Sequence, residues 1–346
     1  MKKKKFLSAV VIILFIAGSL YLLQRLVMPK YMDDVVEGNF IAEYYDEEKD
    51  HDVIFLGDCE VYENFSPMVL WEEYGINSYI RGSAQQLVSQ SYYILEDTLR
   101  YETPDVVVFS VLAVPYNEAP RESYNRMTLD GMRWSLSKVN AILDSMTEEE
   151  SFLDYVFPLL RYHSRITELT ADDFTYLFHR DLVSHNGYYM RVDSLPAENV
   201  PEGRPLGDYT IDAAQMEYLD KIRILCEENG IQLVLVKAPS LYPYWYDEWD
   251  AQIVDYANEH DLLYVNLLDQ ADEAGLDFQT DTYDGGLHLN LSGAEKLSHY
   301  FGAILRDQCG LESRRGEEAL EAAWQEKALW YQEDKARQEA EIAAGN

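Results

Sequence analysis

The chain has 346 residues, enough for one large domain or two small ones, and 47% are hydrophobic, which is ample for a core. Against 62 Asp and Glu stand only 28 Lys and Arg, a net charge of −34. That balance argues against nucleic acid as a partner, because phosphate binding needs clustered basic side chains.

Residues 6–23, FLSAVVIILFIAGSLYLL, carry no charge and are long enough to cross a bilayer as a helix. Lys2, Lys3, Lys4 and Lys5 precede them, and Arg25 and Lys30 follow. The excess of positive charge on the first side puts the N-terminus in the cytoplasm and the bulk of the chain outside. A cleaved signal peptide is the alternative, with Ala17, Gly18 and Ser19 as small residues for cleavage. The apolar run continues past them to Leu23, which favours an uncleaved anchor over residues 1–27. The expected location is therefore the plasma membrane, single-pass, with the C-terminal domain extracellular. Residues 28–50, rich in acidic side chains and tyrosine, read as a juxtamembrane linker.

From residue 51 an alternating pattern begins. Strand-like runs fall at 52–56, 77–80, 105–112, 231–237 and 262–268, and amphipathic helical stretches at 86–101, 211–229, 247–260 and 291–306. This alternation predicts a three-layer α/β/α domain over 51–310 with a five-stranded parallel sheet. Gly230 stands where a helix would end, just before the fourth strand. Residues 114–210 are too long for an ordinary connection and read as an inserted subdomain, with helices over 130–146 and 151–169. Residues 311–346 form a charged tail in which Leu320, Trp324 and Tyr331 recur at helical spacing, as in a solvated helix with one docking stripe.

The chemistry concentrates at three turns. The first strand runs into Gly57-Asp58-Cys59. Gly57 permits a sharp turn, which presents Cys59 at the carboxyl end of a central strand. A thiol there is a nucleophile if a base lies nearby. A buried structural cysteine is the plainer reading. The second turn is Arg81-Gly82-Ser83. The third, YDGGLHLNLS over 283–292, sets Asp284 and His288 four apart across a Gly-Gly pair. A loop of that kind can fold back so that a carboxylate orients an imidazole, the logic of a catalytic triad. Cys59, Cys226 and Cys309 are odd in number and too few for a disulfide framework. No metal-binding spacing such as HExxH or paired CxxC occurs, and no cofactor is expected. After the fourth strand come Lys237 and then Tyr242, Tyr244, Trp245 and Tyr246, which suit stacking on sugars or a packed patch closing the sheet end.

GDC near the start of the domain and DGGLHLN near its end resemble the SGNH/GDSL hydrolase superfamily, whose first block is Gly-Asp-Ser and whose last is Asp-x-x-His. The resemblance covers about residues 52–306 and leaves the middle segment unaccounted for. It implies a flavodoxin-like sheet, Cys59 in the place of the serine nucleophile, His288 as general base and Asp284 as the acid that orients it. It also implies an oxyanion hole from Cys59 and Gly82, with Asn117 the nearest candidate for the third block. Read from the residues themselves, Asp58, Lys237, Tyr244 and Trp245 are the expected substrate contacts. The chain departs from the pattern in having Cys for Ser, in an acid four residues before His288 where the third position is Gly285, and in lacking an obvious third-block Asn. An anchor joined to an extracytoplasmic domain is similar to the D-alanine-transfer and alginate-acetylation proteins. That likeness implies work on a cell-surface polysaccharide beside a membrane-bound O-acyltransferase. The expected function is acyl hydrolysis or O-acyl transfer on such a glycan. The alternative is a non-catalytic glycan-binding or scaffolding subunit of an envelope complex.

Overall fold

The computed structural model describes residues 2–29 and 40–345. At its centre are five parallel strands: β1 (Val53–Gly57), β2 (Ser78–Gly82), β3 (Val106–Ser110), β4 (Gln232–Lys237) and β5 (Leu263–Asn266). They lie in the order β2-β1-β3-β4-β5. Every residue of β1, β2 and β3 is buried, as runs of Val, Ile, Leu and Phe covered on both faces require. Successive side chains point to opposite faces. Val53 and Phe55 join a core with Leu297 and Phe301, while Ile54 and Leu56 join another with Ile94 and Leu219.

Among the described residues the helices are α1 (Lys2–Val27), α2 (Phe40–Glu43), α3 (Cys59–Tyr62), α4 (Pro67–Val69), α5 (Val88–Thr98), α6 (Glu122–Leu129) and α7 (Leu136–Ser145). They continue with α8 (Phe152–Val156), α9 (Pro158–Tyr162), α10 (Ala171–Tyr176), α11 (Ala213–Asn229), α12 (Asp247–Glu259), α13 (Leu291–Cys309) and α14 (Glu318–Ala343). Helices α5, α7, α11 and α12 cover one face of the sheet, and α4, α13 and α14 the other. This is the expected three-layer α/β/α fold. The chain order reverses between β1 and β3, the kind of place where open parallel sheets hold their ligands. Helix α11 ends as anticipated: Gly230 takes the left-handed conformation and its N–H reaches the carbonyls of Cys226 and Glu227.

The middle segment differs from its prediction. The helix expected over 130–146 is α7, which starts at Leu136, with α6 ahead of it. The helix expected over 151–169 is broken into α8, α9 and a 3₁₀ turn, His163–Thr167. Pro158 causes the break: Phe157 before it leaves the helical region at φ −126°, ψ 75°. Further on, residues 185–188 run beside the edge strand β2. Ile80 N–H donates to Asn186 O at 2.9 Å, and Asn186 Nδ2 donates to Ser78 O at 3.1 Å.

Helix α1 has 26 residues, about 39 Å at 1.5 Å per residue, against a bilayer core of about 30 Å. It is long and apolar enough to cross a membrane, properties a signal sequence shares, and large apolar side chains from Phe6 to Leu22 stand exposed on it. Of the linker expected over 28–50, residues 30–39 lie outside the described residues. Phe40, Ile41 and Tyr44 pack into the core. At the other end α14 lies against the domain. Trp324 stacks on Trp71 with ring centroids 5.5 Å apart and donates its indole N–H to Asn77 Oδ1 at 3.1 Å. Leu320 and Tyr331 are buried with it.

Candidate active site

The end of β1 makes the turn that the sequence demands. Gly57 sits at φ +147°, and a Cβ there would lie 2.8 Å from Ser110 Cβ on β3. No larger residue fits that backbone. Asp58 then caps α3 by accepting the Glu60 N–H at 3.1 Å. Cys59 opens this helix and stays partly exposed at the carboxyl edge of the sheet.

The loop after β5 brings the base. Gly285 and Gly286, at φ +80° and +103°, let the chain fold back on itself. Asp284 then holds His288 twice. Its Oδ2 lies 2.7 Å from the ring Nδ1, and its Oδ1 accepts the His288 backbone N–H at 2.8 Å. Leu289 N–H donates to Asn64 Oδ1 at 2.9 Å, tying the loop to the segment just past α3. With Nδ1 engaged, Nε2 remains, and it is buried with no hydrogen-bond partner among the described residues. The Cys59 thiol is its neighbour, near enough that each group shifts the protonation of the other.

Burial pushes the Cys59 thiol up to about 12 against the opposing pull of His288. Burial alone would lower His288. Glu63, Cys59 and Asp284 together overcome it and hold the imidazole well above its ordinary range. Asp284, though partly desolvated, is held below the usual carboxylate range by its bonds to His288. Burial thus favours the neutral thiol, while the neighbouring carboxylates favour the charged imidazole and His288 favours the ionised Asp284.

Cys59 and His288 line a cleft of about 420 Å³ together with Asp58, Lys237, Tyr244 and Trp245. The cleft so gathers two of the three catalytic candidates, with Asp284 outside the lining but bonded to His288, and all four expected substrate contacts. Their availability differs. The Lys237 ammonium is buried and committed: it pairs with Glu60 at 2.5 Å and donates to Ala238 O at 2.6 Å. Asp58 is buried, and its pKa rises to about 7 through burial and the neighbouring Glu60 charge. Tyr244 is half exposed, whereas Trp245 donates its indole N–H to Asp250 at 3.1 Å. Tyr246 and Trp249 pack edge to face behind them, so the aromatic cluster is partly lining and partly packing.

Two of the expected oxyanion donors are not among the residues lining the cleft. Gly82 is turned against the inner side of α3, where a Cβ would meet Val61 at 2.7 Å, and it does not line the cleft. Asn117 is exposed on the loop after β3 and is likewise outside the lining. Gln85, at φ +55°, is the residue of the second turn that reaches the cleft.

Glu60 and Glu63 are site residues that the sequence reading passed over. Glu63 is buried, accepts a hydrogen bond from the Tyr283 hydroxyl and lies 3.3 Å from His288 Nδ1. Its position four residues after Cys59, one helical turn on, is the signal that was there to find. Glu60 also accepts from Ser110 Oγ at 3.3 Å, tying the ends of β1, β3 and β4 together.

No family model and no curated protein matches the chain. Among solved structures it is similar to a "putative acylhydrolase" from Bacteroides fragilis NCTC 9343. The TM-score is 0.38 at 11% identity, covering 78% of this chain and 95% of that one. It is also similar to a GDSL-like lipase from Bacteroides thetaiotaomicron VPI-5482, with TM-score 0.36 at 10% identity, covering 79% of this chain and 97% of that one.

Proposed function

We propose that the protein is a membrane-anchored, outward-facing acyl hydrolase or O-acyltransferase of SGNH type that acts on a cell-surface glycan. The observation behind the reading is the Asp284–His288 pair, with the imidazole beside the Cys59 thiol and both lining an open cleft. In the reaction His288 Nε2 takes the thiol proton while sulfur attacks the acyl carbonyl. The tetrahedral intermediate collapses to a thioester, and His288 returns the proton to the leaving alcohol. Water, or a glycan hydroxyl, then attacks the thioester with His288 again as base, which regenerates the thiol. Asp284 fixes the tautomer and steadies the imidazolium formed at each step. The Cys59 backbone N–H is the oxyanion donor the cleft offers. Because the neighbouring carboxylates favour the protonated imidazole, the base becomes more available as the pH rises.

The test is intact-protein mass after incubation with p-nitrophenyl acetate. One acetyl group added to the wild type, and none to Cys59→Ala or His288→Ala, is the expected result. An unmodified wild type across pH 7 to about 9 would sink the mechanism.

A second reading, glycan binding without turnover, has its own observation. Tyr116, Tyr124, Tyr242, Tyr244 and Trp245 line the same cleft, while burial raises the Cys59 thiol far above neutrality. Binding of a glycan that Tyr244→Ala abolishes, with no acyl adduct under any condition, would select it.

A further inference from the structure

The broken middle segment is unusual in what it leaves uncovered. Leu153, Phe157, Leu160, Ile166, Phe174 and Phe178 are each between 48% and 83% exposed, and all lie within 26 residues of one another in the chain. Scattered apolar residues on a surface need no explanation, but a concentration of this size marks an interaction site. The α9 helix, the 3₁₀ turn at 163–167 and α10 all pack against α1. Arg165 fastens the junction. Its guanidinium donates to the carbonyls of Val27 and Met28 at 3.0 and 2.6 Å and pairs with buried Asp173 of α10 at 3.2 Å. The segment thus forms a collar at the end of the apolar helix, where the chain would leave a bilayer.

A cavity of about 530 Å³ opens at the same level. Tyr21 and Arg25 of α1 line it together with Pro158, Lys138 and Arg180. Arg180 is exposed there, and partial desolvation and the like charge of Arg25 lower its pKa while Asp46 opposes that. Glu43, Asp46, Asp130 and Asp181 share the lining, so the cavity is mixed in charge, and it is the Tyr21–Arg25 end that suits the headgroup level of a bilayer, where tyrosine and arginine anchor helices.

We propose that this collar is a membrane seat: its exposed apolar side chains enter the lipid surface around α1, with Arg25 and Arg180 at the headgroups. The occupant is the bilayer itself, because the face is continuous with a helix built to span one. An interfacial element of this kind buries an apolar face at the headgroup boundary without crossing. The seat is tied to the cleft. Arg161 of α9 pairs with Glu122 at 2.9 Å, directly after Arg121, a residue of the cleft wall. This pair links the seat to the cleft wall.

This inference rests on the anchored reading above, and the experiment separates the two. The full chain, carrying Cys59→Ser and Cys309→Ser, is reconstituted in nanodiscs of phosphatidylcholine and phosphatidylglycerol containing doxyl-labelled lipid. A fluorophore is placed at a single cysteine introduced as Leu14→Cys, Leu160→Cys, Phe174→Cys, Phe178→Cys or Leu329→Cys. Leu329 is 67% exposed on α14 and serves as the reference. Quenching at 14, 160, 174 and 178 several-fold above that at 329 is expected. Replacing Phe174 and Phe178 by Ser should reduce quenching at 160 and leave 14 unchanged. If 14 is quenched while 160, 174 and 178 match 329, the seat is wrong and the face belongs to a protein partner. If 14 itself matches 329, the anchor fails and the seat with it.

Discussion

Asp284 grips His288 by both ring and backbone, so the imidazole cannot rotate without breaking a bond to the same carboxylate. Replacing Asp284 by Asn keeps an oxygen for the backbone N–H but offers the ring an amide that can donate. Nδ1 then accepts, the proton moves to Nε2, and the base is blocked. Acylation by p-nitrophenyl acetate should fall by about 10²–10⁴-fold, with little loss of melting temperature. A rate within a few-fold of wild type would show that the pair does not orient a base.

The pH profile tests Glu63. His288 is held above its ordinary value of 6.5, chiefly by Glu63 once burial is overcome. Acylation should climb as the pH rises through the folded-state pKa. Glu63→Gln removes one carboxylate from the ring, lowers that pKa and should shift the climb to lower pH. The stabilising His288 pairing works in the opposite sense. It is fully present below the unfolded pKa and lost as the pH rises through the folded one, so thermal stability should decline where activity rises. A Glu63→Gln profile superimposable on wild type would refute this role.

The Glu60–Lys237 pair is 1–2% exposed. Removing one partner leaves a buried charge unmatched and should cost about 3–5 kcal/mol, read by urea denaturation. Glu60→Gln together with Lys237→Met should recover most of that loss. If Lys237→Met alone were neutral in stability, the ammonium would not be held by Glu60, and the substrate-binding role expected for it would reopen.

The strands were legible because residues buried on two faces must be apolar for the length of the strand, as at 53–56 and 106–109. The Asp284–His288 pairing was legible because both partners lie in one short loop whose glycines announce a reversal. Glu63 and Lys237 were not. What each does depends on a partner from a distant part of the chain, Tyr283 and Glu60 respectively, and only the assembled sheet edge brings these together. Gly82 shows the same limit. Its glycine was read as an approach to ligand, but the close neighbour is Val61 of the chain itself. Pro158 was a plain signal for a helix break, and the long helix drawn through it was an error of reading rather than of information.

Trp324 bears on where the folded unit ends. Its stack on Trp71 and its bond to Asn77 make α14 part of the domain's packing. Trp324→Ala should cost about 3–5 kcal/mol. A change below about 1 kcal/mol would make α14 an appended tail, since surface substitutions commonly stay within that range.

The segment at 185–188 has a consequence for how the molecule behaves in a crowd. A bare outer strand such as β2 would offer its amides and carbonyls to any neighbouring chain. Asn186 occupies those groups at Ser78 and Ile80, and Gly187 permits the fit: a Cβ there would lie 2.0 Å from Ile80 O. The stretch acts as a selvedge, finishing the cloth so that it does not join its neighbour. Wherever copies of the protein crowd together, a covered edge at β2 keeps a second sheet from adding to that side.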